Sequence, residues 1–351
     1  MTSIFAVLFF APALLLCAQT AAPKTAKPAA KPAVKNAAAA PAAKPAAAPA
    51  QQAKPGAAKP APDPFEEALV KIKSKEPAER RQAADFLGQN RNPKGAPALM
   101  SALSDESPSV RQAAADALGM LTWRPASPKL AELLSKDSDA GVRQQAAISL
   151  SYIMDLAAAP ALLKALKDGS AAVRYAALHT LSVMKYAPAE DEIIGLLSSQ
   201  DANMRRGAIS ALGQLQSKKA AAPLLAALKD EDPYARIEAI KALGSIGDDA
   251  STPELVKLLD KDGQPQVRVE AALSLAKMGK NDGLNTAYEF VKSADYSLKS
   301  QSLNIIASVG DARSLQFIEE IYAAEKDPAG KNMLDFARQR LMARVKAQQP
   351  K

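Results

Sequence analysis

From Phe65 onward, apolar and polar positions fall into a unit that recurs every 31 or 32 residues. Its anchor is a basic residue, at Arg80, Arg111, Arg143, Arg174, Arg205, Arg236, Arg268 and Lys299. Three residues later stands a small side chain (Ala83, Ala114, Ala146, Ala177, Ala208, Ala239, Ala271, Ser302), and seven later a large apolar one (Leu87, Leu118, Leu150, Leu181, Leu212, Leu243, Leu275, Ile306). Offsets of zero, three, four and seven share one face of an α-helix, so each unit contains a helix with an Ala/Leu inner stripe. A second amphipathic stretch precedes it, for example "APALLKALKD" from Ala159 to Asp168. Pro97, Pro128, Pro160, Pro223 and Pro253 fall near the start of these first helices, where a missing amide hydrogen costs little. Polar turns join the two helices, and no stretch alternates as a strand would. Helix pairs this short cannot bury their stripes alone, whereas stacked copies can. The pattern therefore predicts an all-α superhelix, an α-solenoid of about nine helix pairs over residues 65–345, with a ninth, degenerate unit ending near Lys331.

The N-terminal pattern is different. Residues 4–18, "IFAVLFFAPALLLCA", form an uncharged apolar run that is shorter than the roughly 20 residues of a spanning helix. It predicts a signal peptide or anchor over residues 1–18, with cleavage after Ala18 or lipid attachment at Cys17. Residues 19–64 carry ten prolines and seven lysines against the single acid Asp63. Proline removes amide donors and spaced lysines repel, so a disordered Ala/Pro/Lys linker is expected, reaching on the order of 140 Å if fully extended. It holds six of the eight net positive charges, so the repeats themselves are nearly neutral. An exported, envelope-associated protein is the expectation, with membrane or cell-wall proximity through this arm.

Within the repeats, the run D-x-x-x-x-V-R-x-x-A-A-x-x-L recurs in Asp105–Leu118, Asp137–Leu150, Asp168–Leu181 and Asp262–Leu275. It resembles HEAT repeats, specifically the short HEAT-like repeats named after phycobilisome lyases, over roughly residues 65 to 341. Both ends depart from it, with Ser74 and Ser293 in the Asp place and Lys299 in the Arg place. The resemblance implies an internal hydrogen-bonding ladder that ties neighbouring units. Its members are Asp105, Asp137, Asp168, Asp230 and Asp262 with Arg111, Arg143, Arg174, Arg205, Arg236 and Arg268. The family includes scaffolds, chaperone-like binders, lyase subunits and a few enzymes, so the resemblance fixes fold more tightly than function.

Candidate chemistry is sparse. Cys17 is the only cysteine and His179 the only histidine, so zinc sites and thiol chemistry lose their usual ligands. Deoxyhypusine hydroxylase, a HEAT-repeat enzyme, builds a di-iron centre from several His–Glu pairs, a pattern that one histidine cannot supply. P-loop, G-x-S-x-G and H-E-x-x-H motifs are missing, and Glu190, Asp191 and Glu192 suit the first turn of a helix. Neither an enzyme nor a cofactor or metal is expected. A column of arginines could track phosphates. Guanidiniums held by carboxylates and carbonyls are not free to do so, and nucleic acid is not the expected partner.

What remains is surface. Offsets one, two, five and nine point away from the Ala/Leu stripe and, by the resemblance, line the concave face. There stand Gln144, Tyr152, Tyr175, His179 and Arg206. Tyrosine and arginine combine contact area with polar tips, so Tyr152, Tyr175 and Arg206 form the candidate patch for a protein partner. Trp123 and Tyr186, in equivalent loops, either extend it or plug gaps between units. The expected function is a non-catalytic protein-binding scaffold. The alternatives are an accessory subunit of a lyase-type enzyme, and cell-wall or polyanion binding through the basic linker.

Overall fold

The computed structural model describes residues 63–261 and 263–348. The expected signal segment with Cys17, the linker up to residue 62, and Asp262 lie outside the described residues. Eighteen α-helices follow one another in nine pairs, with no strand among the described residues. They are α1 (Pro64–Lys71) and α2 (Pro77–Asn90), α3 (Ala96–Ala102) and α4 (Pro108–Met120), α5 (Ser127–Lys136) and α6 (Ala140–Ile153). Next come α7 (Ala159–Ala165) and α8 (Ala171–Val183), α9 (Glu190–Gly195) and α10 (Ala202–Leu215), α11 (Ala221–Ala227) and α12 (Pro233–Ile246). The array ends with α13 (Thr252–Lys261) and α14 (Pro265–Lys277), α15 (Leu284–Phe290) and α16 (Tyr296–Val309), α17 (Ala312–Ala324) and α18 (Pro328–Gln348). No helix among the described residues is long and apolar enough to cross a membrane.

Two boundaries differ from the composition-based reading. Asp63 and Pro64, counted with the linker, open the first helix: the Asp63 carboxylate accepts the Phe65 amide at 3.0 Å, and Pro64 takes the first helical position. At the other end α18 runs on to Gln348, past residue 345 and well past Lys331. Seven residues after Lys331, where earlier repeats bury a leucine, stands Arg338. It donates to Asp335 at 2.9 Å and lies 4.5 Å over the Tyr322 ring, a polar end to the stack.

The Ala and Leu columns are buried throughout, among them Ala114, Ala146, Ala177, Ala208 and Ala239 with Leu118, Leu150, Leu181, Leu212 and Leu243. Consecutive second helices pack directly on one another, and each first helix packs mainly on its own second helix. Small residues permit that approach. A Cβ placed on Gly88 would lie 2.7 Å from the Ala117 Cβ, and one on Gly244 would lie 2.6 Å from the Ser274 Cβ and 2.7 Å from its Cα. Gly119 and Gly213 occupy the same register, eight residues after the anchor, against Ser149 and Ala242. Two hydroxyls of following helices bridge to the preceding one: Thr180 donates to the Ala147 carbonyl and Ser274 to the Ile240 carbonyl, both at 2.9 Å. The second helices thus form the tighter layer of the stack.

This packing makes a direct prediction. Gly244→Val has no room against the α14 backbone and should cost about 2 to 3 kcal/mol in chemical denaturation. Gly247→Ala, at φ +70 with nothing within 4 Å, should cost only about 1 kcal/mol through backbone strain.

Candidate functional site

Each second helix starts beside a tight polar turn, and the turn is held by the arginine column. In the regular repeats the guanidinium does two jobs. Arg111 donates one N–H to the Asp105 carbonyl of its own turn at 2.8 Å, and forks onto both carboxylate oxygens of Asp137 in the next repeat, each at 2.8 Å. The Asp137 carboxylate also accepts the Asp139 amide at 2.9 Å, which fixes its own turn. The same arrangement joins Arg80 to Asp105, Arg143 to Asp168 and Arg205 to Asp230. A planar guanidinium matches a carboxylate in this way as lysine cannot.

The column is not uniform, and three members need correction or restriction. Arg174 keeps its bond to the Asp168 carbonyl at 2.9 Å, but the next repeat offers Ser199 where a fork needs aspartate. Ser199 holds only the turn, accepting the Asp201 amide at 3.2 Å. Arg268 turns instead to the Leu259 carbonyl at 2.6 Å and to both oxygens of Glu289, because Ser293 stands in the aspartate place. Arg236 donates to the Asp230 carbonyl at 2.8 Å, and its counterpart position, Asp262, lies outside the described residues.

A second rung, not anticipated from the sequence, runs one residue along. The Tyr175 hydroxyl donates to Asp201, the N-cap of α10, and the Arg206 guanidinium pairs at 3.2 Å with Asp232, the N-cap of α12. Arg206 also lies 5.5 Å over the Tyr234 ring. Two members of the candidate patch are therefore engaged between repeats, and Tyr175 helps fill the place that Ser199 leaves. Tyr152 is 56% exposed and stands near the far end of its helix. Offset nine lies about 12 Å along the axis from offset one, so the structure does not gather Tyr152, Tyr175 and Arg206 into one patch. Trp123 and Tyr186 sit at Tyr152's end, half-buried against the core. Their amides close the helix ends on the Leu118 and Leu181 carbonyls.

Between second helices the inner face opens into clefts at one repeated register. Tyr175, Leu178, His179 and Ser182 of α8 face Gly207, Ser210, Ala211 and Gln214 of α10 around about 180 Å³. Equivalent positions of α10 and α12 enclose about 130 Å³, and those of α16 and α18 about 340 Å³. Hydroxyls and an amide line the first, with the Glu238–Lys241 ion pair added in the second; Leu303, Met333 and Phe336 make the last more apolar.

Two kinds of carboxylate result. The forks hold Asp105, Asp168 and Asp230 below the usual carboxylate range against the upward push of burial. At Asp137 burial is the largest influence, yet the Arg111 fork and the Asp139 amide outweigh it and lower the carboxyl. On the inner face burial wins. It raises Asp85, Asp116 and Glu270, and the neighbouring Asp85 charge adds to the rise at Asp116.

Arg111→Ala should destabilise by about 2 to 3 kcal/mol, because it strands the Asp137 carboxylate, whereas Arg174→Ala should cost only about 1 kcal/mol; urea denaturation separates the two. The pH dependence has opposite signs at the two kinds of carboxylate. Lowered carboxyls stabilise the fold above their unfolded value of about 4, and that contribution disappears as pH falls through their folded values. Raised carboxyls cost stability at neutral pH, and the cost is relieved as they protonate. Asp116→Asn should therefore raise the thermal midpoint at pH 7 by a few degrees, with the gain shrinking as pH approaches about 4.

The family model for HEAT repeats matches residues 63–151, 127–191, 190–264 and 252–332. No curated protein sequence matches the chain at a significant level. Among solved structures, the X-ray structure of YibA from E. coli is similar at 20% identity and a TM-score of 0.52, covering 77% of this chain and 98% of that one. The complex of CpcE and CpcF of phycocyanin lyase from Nostoc sp. PCC7120 gives 25% identity and a TM-score of 0.42, with 74% and 100% covered. Human deoxyhypusine hydroxylase gives 18% and 0.33, with 70% and 96% covered. Nine helix pairs, a repeated Asp–Arg fork and a family match across 63–332 make this chain a member of the HEAT-repeat family.

Proposed function

We propose that the chain is a non-catalytic scaffold that holds a protein partner along the inner, second-helix face. The observation that supports this reading is the cleft recurring at one register between α8 and α10, α10 and α12, and α16 and α18. The first two, at about 180 and 130 Å³, are smaller than the roughly 300 Å³ of ordinary small-ligand pockets, while a row at constant pitch suits successive side chains of one polypeptide. Ser182 donates to the Gln214 side-chain carbonyl at 2.6 Å and the Gln214 amide to Ser210 at 3.4 Å, so this bonded set keeps hydroxyl lone pairs and one amide N–H for a partner. Many weak contacts then add along a surface that the ladder keeps in register. The apolar N-terminal run and the Lys/Pro arm suggest that this happens in the cell envelope.

A photo-crosslinking residue at position 179, in the cleft, should trap a partner in an extract of the native cells, and one at Lys164 on a first helix should not. Filling the cleft with His179→Trp and Ser210→Trp should abolish the adduct while helical circular dichroism stays unchanged. Equal labelling at 164 and 179 would end the reading.

A further inference from the structure

We infer that the edge formed by the first five inter-repeat loops is a docking surface for an acidic amphipathic helix of the partner; this rests on the scaffold reading above and narrows it. Three observations carry it. The first is a concentration of exposed apolar side chains. Tyr152 is 56% exposed, Met154 47%, Leu156 54% and Val183 36%, and all four lie at the C-terminal ends of α6 and α8 or in the loop after α6. Isolated exposed apolar residues are ordinary, but a contiguous group on a water-facing edge marks a contact surface.

The second observation is backbone strain. The turn that ends a second helix needs a left-handed residue. In the later repeats glycine supplies it, with Gly247 at φ 70 and Gly279 at φ 76. In the first five repeats the same place holds Arg91, Thr122, Met154, Lys185 and Gln216, at φ between 49 and 58. A left-handed conformation is unfavourable for residues with a Cβ, and for β-branched threonine it is an outlier. All five side chains are exposed; Thr122 and Gln216 each regain a hydrogen bond, to the Leu121 carbonyl at 2.8 Å and the Ser245 carbonyl at 3.3 Å, whereas Arg91, Met154 and Lys185 make none among the described residues. Strain retained at those three turns, where glycine serves elsewhere in the same chain, points to side chains kept for a contact outside the fold.

The third observation identifies the occupant. These five loops carry six cations, Arg91, Lys94, Arg124, Lys185, Lys218 and Lys219, and one acid, Asp155. Asp155 is tied to Arg124 at 3.4 Å, and Lys219 is tied to Asp191. Arg91, Lys94, Lys185 and Lys218 are exposed and have no ion pair among the described residues. The surface is apolar at its centre and cationic along its rim, the complement of a helix with a leucine face and glutamate flanks. The pitch agrees as well. Packed helices stand about 10 Å apart, so Tyr152 and Val183, equivalent residues on neighbouring helices, match positions about seven residues apart on a crossing helix. A fixed row on rigid helix ends suits such a counterpart better than a fluid membrane.

The test uses the 351-residue chain with two synthetic helices of equal length, both with leucines at heptad spacing, one flanked by glutamate and one by lysine. Fluorescence anisotropy should show the glutamate helix binding at least tenfold tighter. Tyr152→Ser combined with Leu156→Ser should weaken it at least tenfold with unchanged circular dichroism. Met154→Gly should weaken it too, while the thermal midpoint stays level or rises. Equal affinity for the two helices, an unaffected double variant, a lowered midpoint in Met154→Gly, or binding only to phosphatidylglycerol vesicles would each overturn the inference. A cross-linker at position 156 separates the two readings: silence at 156 with labelling at 179 sinks the loop-edge surface alone, and silence at both sinks the scaffold as well.

Discussion

A single guanidinium shared between two repeats sets the register of this molecule. Arg111 reaches its own turn through the Asp105 carbonyl and the next turn through the Asp137 carboxylate, so one side chain fixes both the intra-repeat corner and the distance to the neighbour. Apolar burial alone would leave adjacent Ala/Leu faces free to slide, because those faces are smooth and nearly identical from repeat to repeat. The fork cannot slide: its donors are rigid, and its acceptor is simultaneously held by a backbone amide two residues on. Glycine and alanine at the helix contacts then bring the second helices close enough for that reach.

That economy constrains where a partner can bind. Side chains at the start of each second helix are drawn into joining repeats, including Tyr175 and Arg206, whose residue types alone suggested a contact role. Groups further along the helix and in the following loop also join repeats in places, through Arg124 to Asp155, Lys219 to Asp191 and Gln216 to the Ser245 carbonyl, but they leave Tyr152, Leu156 and Lys185 exposed. Tyr152, Met154, Leu156 and Val183, with Arg91, Lys94, Lys185 and Lys218, unpaired among the described residues, stand at the opposite edge, away from the fork. Under the proposed reading, recognition falls at the end of the helix opposite the fork.

The fold was legible because a 31-residue period with zero, three, four and seven offsets admits few physical interpretations. The ends of the domain were not, since Asp63 and Pro64 are ordinary linker residues by composition and helix-starting residues by position. The ladder was legible as a column but not as a wiring scheme. Arg111 and Arg143 each stand six residues after an aspartate of their own repeat, while their carboxylate partners lie 26 and 25 residues ahead, a pairing that spacing within one unit conceals. Ser199 was the available signal that Arg174 lacks a fork, and it shows only once the partner is sought in the following repeat. The candidate patch failed for a related reason. Offsets one and nine share a face of the helix but not a height along it.

The contrast between early and late turns bears on how this array divides its tasks. Repeats six and seven end their second helices on glycine, the least strained choice, and the α16 helix ends at Gly310 in extended backbone. Repeats one to five use side-chain-bearing residues for the same geometry. If those turns served only to reverse the chain, substitution toward glycine would have lowered the free energy of the fold at no loss. Of the side chains there, Arg91 and Lys185 are cationic and Met154 is apolar beside Tyr152 and Leu156, while Thr122 and Gln216 bond carbonyls of the fold. Strain and surface chemistry thus coincide at Arg91, Met154 and Lys185.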